Sequence, residues 1–496
     1  MNSTVVSSPG KVLVAGGYLI LDPAFSGVVV STSSRFYTVV QPRTTAQPNT
    51  IQVRSPQFAN ATWNYSVSLD GERAVNALPE NASQNKFVHL ALKSAISLAA
   101  ELKGVSAVSA TLASGLDIGI VGDNDFYSQR AKLASLNLPR TLQSLSQIPP
   151  FCPTDGSLSN VHKTGLGSSA ALITSLVSAL LVHLEVIPKA AFAETEIPTE
   201  GRLLAHNLAQ YVHCLAQGKV GSGFDVAAAV FGSHLYTRFS PAVLEALMND
   251  DSASTTSLLP TVSPSNPGWD YRIEPFVLPP LVRIMLADVD AGSDTPSLVG
   301  KVLQWRKQDP DRARGLWTAI DQENQSLASN FAHLTKLHDK DPEVYGAAVK
   351  YLSTLQPVQW LANPWTPPEE VDITAAFFEA HRITQSIRTK MREMGELSGV
   401  PIEPTEQTDL LDACMSQAGV IGGGVPGAGG YDAVWLLLCD PVDCSPDQRP
   451  TERVERLWGE YSKLNVSPLS AIQSKERGTR IENLDEVPGL QAALST

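Results

Sequence analysis

The chain has 496 residues, of which 43% are hydrophobic and 18% are charged. A single hydrophobic core stops growing at about 250–300 residues, so this length predicts two domains rather than one. The formal net charge of -13 argues against a nucleic-acid partner, because such a partner requires a concentrated excess of Lys and Arg to neutralise its phosphates.

The N-terminal part of the chain predicts strands followed by a helix. Residues 11–21 are aliphatic around a Gly pair that permits a turn, and residues 28–31 and 37–40 indicate two further strands. Apolar residues recur at helical spacing over residues 86–102. Residues 113–152 mix polar residues with Pro and have no clear period, so we expect them to form excursions over the surface.

The most informative segment begins at Gly165. Gly165-Leu-Gly-Ser-Ser-Ala-Ala is followed by an apolar stripe at helical spacing, so this glycine loop opens onto a helix N-terminus. The arrangement suits a phosphate group, because Gly lets the backbone approach closely and the helix directs free N–H groups at the ligand. The ending of a Walker A loop is missing. By itself, the segment fits a phosphate site and a helix cap with a packing role equally well.

Asp225 and Lys11 each have two interpretations. A helix predicted over residues 202–217 ends near Gly218 and leads to Gly221-Ser-Gly-Phe-Asp. Asp225 in this turn is either an N-cap residue or a carboxylate that orients the attacking oxygen in phosphoryl transfer. Lys11 is either a surface Lys or a cation that, paired with Asp225, keeps the carboxylate ionised and lowers the charge on the transferring group.

A change of composition marks the domain boundary. Residues 241–280 are rich in Ser, Thr, Pro, Asn and Asp, so we predict a linker or surface loop there, between domains over residues 1–240 and 281–496. Residues 282–289 and 431–439 predict strands, and residues 298–307 and 373–397 predict helices. The run 422–430 contains six Gly, and its backbone is either a phosphate or substrate loop or an ordinary turn.

Three segments together resemble the three motifs of the GHMP kinases, a family of small-molecule kinases. They are Ser8-Pro-Gly-Lys-Val-Leu-Val-Ala-Gly-Gly-Tyr, Lys163-Thr-Gly-Leu-Gly-Ser-Ser-Ala-Ala and Pro426-Gly-Ala-Gly-Gly-Tyr-Asp. Within this family, Ala15-Gly-Gly-Tyr-Leu-Ile-Leu and Ala216-Gln-Gly-Lys-Val-Gly-Ser-Gly-Phe-Asp are similar to the phosphomevalonate kinases of the fungal type. The resemblance extends over nearly the whole chain.

The resemblance implies a fold and an activity. The fold is α/β (α+β) in two domains, with a left-handed βαβ unit in the first, an α+β second domain, and the active site in the cleft between them. The activity is transfer of the ATP γ-phosphoryl group to 5-phosphomevalonate, which gives 5-diphosphomevalonate and ADP in the mevalonate route to isoprenoids and sterols. ATP and Mg²⁺ are the implied cofactors.

The resemblance also assigns roles to residues at the nucleotide. Lys11 and Asp225 become the catalytic pair, and Ser169 matches the position whose hydroxyl binds Mg²⁺ in related kinases. A Glu that is another metal ligand in mevalonate kinase has no counterpart, because the matching segment reads Tyr211-Val-His-Cys-Leu. The residues implied to hold the ATP phosphates are Gly165, Leu166, Gly167, Ser168, Ser169 and Ala170.

The acceptor carries a carboxylate and a phosphate, so we expect cationic, hydroxyl and backbone groups to converge near Asp225. For each side chain, an ordinary surface or capping role is an equally good interpretation. The predicted acceptor-binding residues are Lys163, Lys219, Ser293, Thr295, Gly427, Ala428 and Gly429.

Other functions and the cellular location complete the expectations. A sister kinase acting on mevalonate or a sugar stays open, as does a non-catalytic ligand sensor, although a sensor would usually lack Lys11 or Asp225. The five Cys are scattered without the spacing of a zinc site, which predicts buried thiols in a reducing compartment. No apolar run reaches the about 20 residues of a membrane span. We therefore expect a cytoplasmic protein, either a monomer or a homodimer.

Overall fold

Two sheets and a large set of helices make up the molecule. The computed structural model describes residues 3–43, 47–69, 74–78, 85–154, 156, 158, 160–248, 257–289, 295–362 and 366–495. These residues form a nine-stranded sheet, a four-stranded sheet and seventeen α-helices. This mixed architecture confirms the predicted α/β fold class.

The larger sheet collects the strands of the N-terminal half and one strand from the C-terminus. Its strands are β1 (Thr4–Ala15), β2 (Ser26–Pro42), β3 (Thr50–Arg54), β4 (Thr62–Ser68), β5 (Ala74–Ala77), β6 (Leu116–Gly122), β7 (His234–Thr237), β8 (Arg272–Pro275) and β13 (Arg480–Ile481). The strand order is β13-β1-β2-β6-β3-β4-β5, and β7 and β8 extend the sheet from β2. Strands β3 and β6 pair in parallel, whereas β1 and β2 pair antiparallel.

The smaller sheet belongs to the C-terminal half and is antiparallel throughout its described pairs. Its strands are β9 (Val282–Val289), β10 (Val420–Gly424), β11 (Ala433–Cys439) and β12 (Val466–Leu469). They lie in the order β10-β11-β9-β12. The central strand β11 is buried along its whole length, which places it in the core of this half.

The helices pack against both sheets, and five of them position the cleft described below: α5, α6, α7, α10 and α14. The complete set is α1 (Lys86–Lys103), α2 (Val105–Leu112), α3 (Arg130–Ser135), α4 (Leu142–Leu145), α5 (Ser168–His183), α6 (Glu200–Gln217), α7 (Phe224–Phe231), α8 (Ala242–Met248), α9 (Leu259–Val262), α10 (Thr295–Gln308), α11 (Pro310–Lys340), α12 (Pro342–Leu352), α13 (Pro357–Trp360), α14 (Val371–Ser398), α15 (Thr405–Met415), α16 (Pro450–Glu460) and α17 (Leu490–Ser495).

The strongest helical patterns are confirmed. The helices predicted over residues 86–102, 202–217, 298–307 and 373–397 correspond to α1, α6, α10 and α14. Helix α6 ends where the sequence indicates, at Gly218, whose φ of 72° is the left-handed conformation that Gly adopts without strain. Within the described residues no helix is long and apolar enough to cross a membrane. All five Cys are free, and four of them are buried, as expected.

Two predictions for the N-terminal half are correct only in part. The strands expected at residues 28–31 and 37–40 are one continuous strand, β2. Its polar middle stays in the sheet because Ser33 N donates to the Ile472 carbonyl oxygen and Ser34 Oγ donates to Asp125. Residues 113–152 are not simply a surface excursion, because they contain β6 between β2 and β3. Asp117 within β6 is accommodated by an ion pair with Arg54 at 2.9 Å.

The segment expected to be a linker contains regular structure. Helices α8 and α9 and strand β8 fall within residues 241–280, and β8 pairs with β7 of the larger sheet. The chain also returns to this sheet at its C-terminus, where β13 pairs with β1. The division into domains over residues 1–240 and 281–496 stays a prediction, and the larger sheet draws strands from both sides of it.

Asp125 joins three parts of the chain beneath the glycine loop. The residue is 6% exposed, and its carboxylate accepts hydrogen bonds from Ser34 Oγ at 2.6 Å and from Ser470 N at 2.8 Å. Its carbonyl oxygen accepts from Thr164 Oγ1, one residue before Gly165. Burial raises the pKa of the Asp125 carboxyl group, whereas the hydrogen bonds from the two serines lower it. Asp125 therefore ties the glycine loop to β2 and to the C-terminal segment.

We expect Asp125→Ala to lower the free energy of unfolding by about 2–4 kcal/mol, because the buried Ser34 hydroxyl and the backbone N–H and hydroxyl of Ser470 lose their carboxyl acceptor. Urea denaturation followed by circular dichroism measures this. The control is Asp443→Ala, which removes an exposed carboxylate and should change the free energy of unfolding by less than about 0.5 kcal/mol. Equal effects of the two substitutions would contradict the role of Asp125.

Candidate active site

The glycine loop is fixed to the first strand of the larger sheet. The backbone N–H of Lys11 donates to the Leu166 carbonyl oxygen at 2.9 Å. Gly10 permits this approach, because a Cβ atom there would lie 2.9 Å from the same carbonyl oxygen. Gly10, directly before Lys11 in β1, therefore allows the strand and the glycine loop to approach each other closely.

The Lys11 side chain enters the cleft along the loop. Its Nζ atom donates to the Gly165 carbonyl oxygen at 3.0 Å and lies 5.3 Å from the centroid of the Phe224 ring. Burial lowers the pKa of Lys11, and attraction to the Asp225 carboxylate partly restores it. Among the described residues, no ion pair within 4.0 Å joins Lys11 directly to Asp225. Both residues line the same cleft.

Helix α5 begins at the loop and directs its amide groups into the cleft. Gly167 is the N-cap with a φ of 76°, so the chain turns sharply before Ser168. The first N–H groups of a helix have no partner within the helix, and together with the helix dipole they favour an anion. Ser168 and Ser169 line the cleft in this first turn.

Asp225 lies in the first turn of helix α7. Gly223 precedes this helix with a φ of 86°, and Val226 N donates to Asp225 Oδ1 at 2.9 Å. The other carboxylate oxygen, Oδ2, lies 3.8 Å from Nε2 of His213. The N-cap residue of α7 is Gly223, so the N-cap interpretation of Asp225 is wrong. Asp225 lines the cleft, and its role in phosphoryl transfer stays a prediction.

Strand β7 holds the turn that carries Asp225. The Arg238 guanidinium donates to the carbonyl oxygens of Val220 at 3.0 Å and Gly221 at 2.7 Å, and Tyr236 Oη donates to the Ser222 carbonyl oxygen at 3.0 Å. Arg238 is 8% exposed and Tyr236 is fully buried. These anchors hold the turn before Asp225 at the edge of the larger sheet.

The second Gly-rich segment forms the opposite wall of the cleft. Residues 422–424 belong to β10, where a Cβ atom on Gly422 would lie 2.3 Å from Thr384 Oγ1 of α14, so this Gly serves close packing. Only the turn after β10 faces the cleft. Tyr18 Oη donates to the Ala428 carbonyl oxygen at 2.6 Å, and Gly430 N donates to the Ile402 carbonyl oxygen at 2.9 Å. These bonds fix the turn between the two halves.

Together these walls enclose a cleft with a volume of about 560 Å³, within the about 300–1,000 Å³ of small-molecule sites. The predicted site residues that line it are Lys11, Lys163, Gly165, Gly167, Ser168, Ser169, Lys219, Asp225, Gly427, Ala428 and Gly429.

Three predicted residues lie elsewhere or have no described side chain, and one is not placed. Leu166 and Ala170 are buried in the core, so they offer the cleft only backbone groups. Ser293 lies outside the described residues. Thr295 is the first residue of α10, and its side chain also lies outside the described residues; two later residues of that helix, Val299 and Leu303, line the cleft.

Some cleft residues were not predicted. Tyr18, His213, Gln217 and Arg238 all line it. Tyr18 belongs to the first motif and His213 to the segment that lacks the metal-binding Glu, so both were visible in the sequence without an assigned role. No sequence pattern marked Arg238, because its role is to hold the turn at residues 220–221, and helix α7 separates the two along the chain.

Comparison with known proteins identifies the class of enzyme that this site defines. A family model described as the GHMP kinases N terminal domain matches residues 139–233, which contain the glycine loop and Asp225. The class is therefore that of the GHMP kinases.

Curated relatives narrow the class to one family. The peroxisomal phosphomevalonate kinase of Arabidopsis thaliana is 39% identical over 457 residues, which cover 88% of this chain and 90% of the relative. A phosphomevalonate kinase of Aspergillus fumigatus is 37% identical over 480 residues, with 89% and 88% covered. The chain belongs to the phosphomevalonate kinase family.

A solved structure agrees in fold. The Streptococcus pneumoniae phosphomevalonate kinase in complex with phosphomevalonate and AMPPNP has a TM-score of 0.56 at 15% identity, covering 96% of this chain and all of that one. At this identity the likeness concerns the fold alone. It confirms the GHMP kinase fold that the resemblance implied.

Two glycines of the loop offer a matched test of its contact with Lys11. A Cβ atom on Gly167 would lie 2.9 Å from Lys11 Cε, whereas one on Gly165 meets nothing within 4 Å. Their φ angles of 76° and 81° impose a similar strain on Ala, about 1–2 kcal/mol. We expect Gly167→Ala to reduce ATP turnover about 10–100-fold more than Gly165→Ala, because it displaces the ammonium group. Equal losses in an ADP-release assay would contradict this contact.

Proposed function

We propose that the chain transfers the γ-phosphoryl group of ATP to the phosphate group of 5-phosphomevalonate, giving 5-diphosphomevalonate and ADP. The observation that carries this proposal is that Lys11, Ser169 and Asp225, from three distant segments, line one cleft. Membership of the phosphomevalonate kinase family supports the choice of acceptor. The sister kinase and the ligand sensor are the alternatives against which the experiments below are designed.

The nucleotide phosphates occupy the glycine loop in this proposal. The amide groups at the start of α5 and the hydroxyl of Ser168 contact phosphate oxygens. Lys11 neutralises charge on the transferring γ-phosphoryl group, where a preorganised cation in a partly buried cleft acts more strongly than in water. Phosphoryl transfer depends mainly on such alignment and charge neutralisation.

The acceptor occupies the side of the cleft nearer Asp225. Lys163 and Lys219 are exposed cations on its rim, suited to the acceptor's carboxylate and phosphate groups. Backbone groups of Gly427, Ala428 and Gly429 close the opposite side. An acceptor phosphate oxygen attacks the γ-phosphorus atom, and the bond from that atom to the bridging oxygen of ADP breaks.

Asp225 acts by positioning in this proposal. The second pKa of a phosphate monoester is about 6, so the acceptor is already largely ionised at neutral pH and no obligatory proton removal is needed. The carboxylate instead orients the attacking group and keeps Lys11 charged, in agreement with its effect on the pKa of Lys11.

The residues present fit a Mg²⁺ ion that is held mainly by the nucleotide. Mg²⁺ prefers oxygen ligands and commonly uses one or two protein groups together with phosphates and waters. Ser169 Oγ and the Asp225 carboxylate supply such oxygens. In the described part of the chain, no group of three or more His, Cys, Asp or Glu residues forms a metal-binding cluster. The ion would neutralise phosphate charge during transfer.

The location and the assembly of the protein remain predictions. The free, mostly buried thiols support a reducing compartment such as the cytoplasm. The Arabidopsis relative is named as peroxisomal, so relatives of this family differ in compartment. For the assembly, a monomer or a homodimer stays the prediction.

The acceptor is tested by ADP release with 5-phosphomevalonate, mevalonate and galactose. We expect kcat/KM for 5-phosphomevalonate to exceed that for mevalonate by at least about 1,000-fold, because cationic groups arranged for a phosphate are left unpaired without it. Preference for mevalonate or galactose would favour a sister kinase. ATP binding without turnover of any acceptor would favour a sensor.

Lys11 and Asp225 should differ in importance. We expect Lys11→Met to lower kcat by about 100–1,000-fold, because it removes the cation at the transferring group. Asp225→Asn should lower kcat no more than about 10-fold, well below the about 100–10,000-fold contributed by an obligatory general base. Steady-state kinetics at saturating ATP measure both. A loss for Asp225→Asn as large as that for Lys11→Met would contradict a role limited to positioning.

A further inference from the structure

The imidazole of His213 joins three groups of the cleft. Its Nε2 atom lies 3.2 Å from Ser169 Oγ, 3.1 Å from Gln217 Nε2 and 3.8 Å from Asp225 Oδ2. The side chain is 4% exposed, and it lies on α6 one helical turn before Gln217. One buried nitrogen atom therefore stands between the nucleotide loop and the carboxylate of the acceptor side.

The Gln217 amide nitrogen faces Nε2 of His213, and this orientation of the amide assigns the tautomer of the ring. An amide nitrogen can only donate, so the Nε2 atom of His213 that faces it carries a lone pair. This nitrogen has one lone pair, so the Ser169 hydroxyl at 3.2 Å donates to it as one of two donors that share the lone pair, the other being the Gln217 amide. A hydroxyl group has one proton and two lone pairs, so Ser169 is left with acceptor lone pairs to present to the cleft. The distance of 3.8 Å to Asp225 is too long for a hydrogen bond, which leaves that carboxylate available.

We infer that His213 is a positioning residue whose Nε2 atom accepts the hydrogen bond from the Ser169 hydroxyl. The Ser169 oxygen is thereby oriented as a ligand for the cation that accompanies the nucleotide. A hydroxyl oriented in this way suits a hard cation and does not suit a phosphate oxygen, which needs a donor. Gln217 supports this arrangement, because its amide group contacts Nε2 and holds the imidazole in one orientation. This inference rests on the proposed function only in taking the cleft as the site of the metal–nucleotide complex.

Three substitutions of His213 separate this role from simple packing. Gln places an acceptor oxygen near the position of Nε2, Asn is one bond shorter and does not reach it, and Phe fills the space without any acceptor. The measured quantity is the affinity for ATP by calorimetry, once with excess EDTA and once with Mg²⁺. Melting temperatures of the three variants check that each one is folded.

We expect the wild-type protein and His213→Gln to show the same gain in ATP affinity when Mg²⁺ is added. His213→Asn and His213→Phe should lose about 10-fold or more of that gain, since groups that orient a metal ligand typically contribute this much, while their affinity for metal-free ATP is unchanged. Ser169→Ala should lose the same gain, and combining it with His213→Asn should cost no more than either change alone.

Three outcomes would overturn the inference. The first is a His213→Phe variant that keeps the full gain from Mg²⁺, and the second is an additive loss in the double variant. The third is a wild-type protein whose ATP affinity does not respond to Mg²⁺. If His213→Asn and His213→Phe fail to fold, the inference is tested by comparing His213→Gln, which should keep the gain from Mg²⁺, with Ser169→Ala, which should lose it. These binding measurements need no acceptor, so a protein inactive on 5-phosphomevalonate would end the proposed function and leave this test intact.

Discussion

The hydrogen bond from the Lys11 backbone N–H to the Leu166 carbonyl oxygen is the constraint on which the rest of the site depends. It fixes the glycine loop to β1, and the Lys11 side chain then follows the same loop to Gly165. Because the loop also opens helix α5, the position of this one residue sets both the cation and the helix amides that a phosphate group would meet. Gly10 and Gly167 both serve this arrangement, since a side chain at Gly10 would separate the strand from the loop and one at Gly167 would displace the Lys11 side chain.

The remaining walls of the cleft are tied to this frame by long-range contacts. Tyr18 follows β1 and holds the turn after β10 through Ala428, so the C-terminal half is positioned by a hydroxyl from the N-terminal half. Burial raises the pKa of Tyr18, which keeps it protonated as a donor. Arg238 fixes the turn before Asp225, and Asp125 connects the glycine loop to the C-terminal segment. The cleft is thus assembled by polar anchors rather than by one continuous element.

Local signals in the sequence predicted the parts of the site that depend on local structure. The glycine loop with its helix and the end of α6 at Gly218 follow from motifs in which neighbouring residues decide the conformation. Strand β6 was missed because the acceptability of Asp117 depends on Arg54 from another strand. The prediction of a loop or turn at residues 422–424 was wrong, because the spacing of this segment is set by a helix that packs across it and contacts Gly422 through Thr384.

The same distinction explains the site residues that were missed. His213 has no motif of its own, since its partners on α5 and α7 are brought together only by the fold. Helices α11 and α12, which lie outside the cleft, were not predicted either. Resemblance to the GHMP kinases supplied the proposed catalytic pair, and the structure added the contacts that orient each member.

The most direct measurement is a crystal structure of the protein with Mg²⁺, a non-hydrolysable ATP analogue and 5-phosphomevalonate. The account predicts that the γ-phosphate group lies between Lys11 Nζ and the start of helix α5, with the acceptor phosphate on the side of Asp225 and the cation against Ser169. A nucleotide bound with its phosphates away from Lys11, or an acceptor outside the cleft, would contradict it.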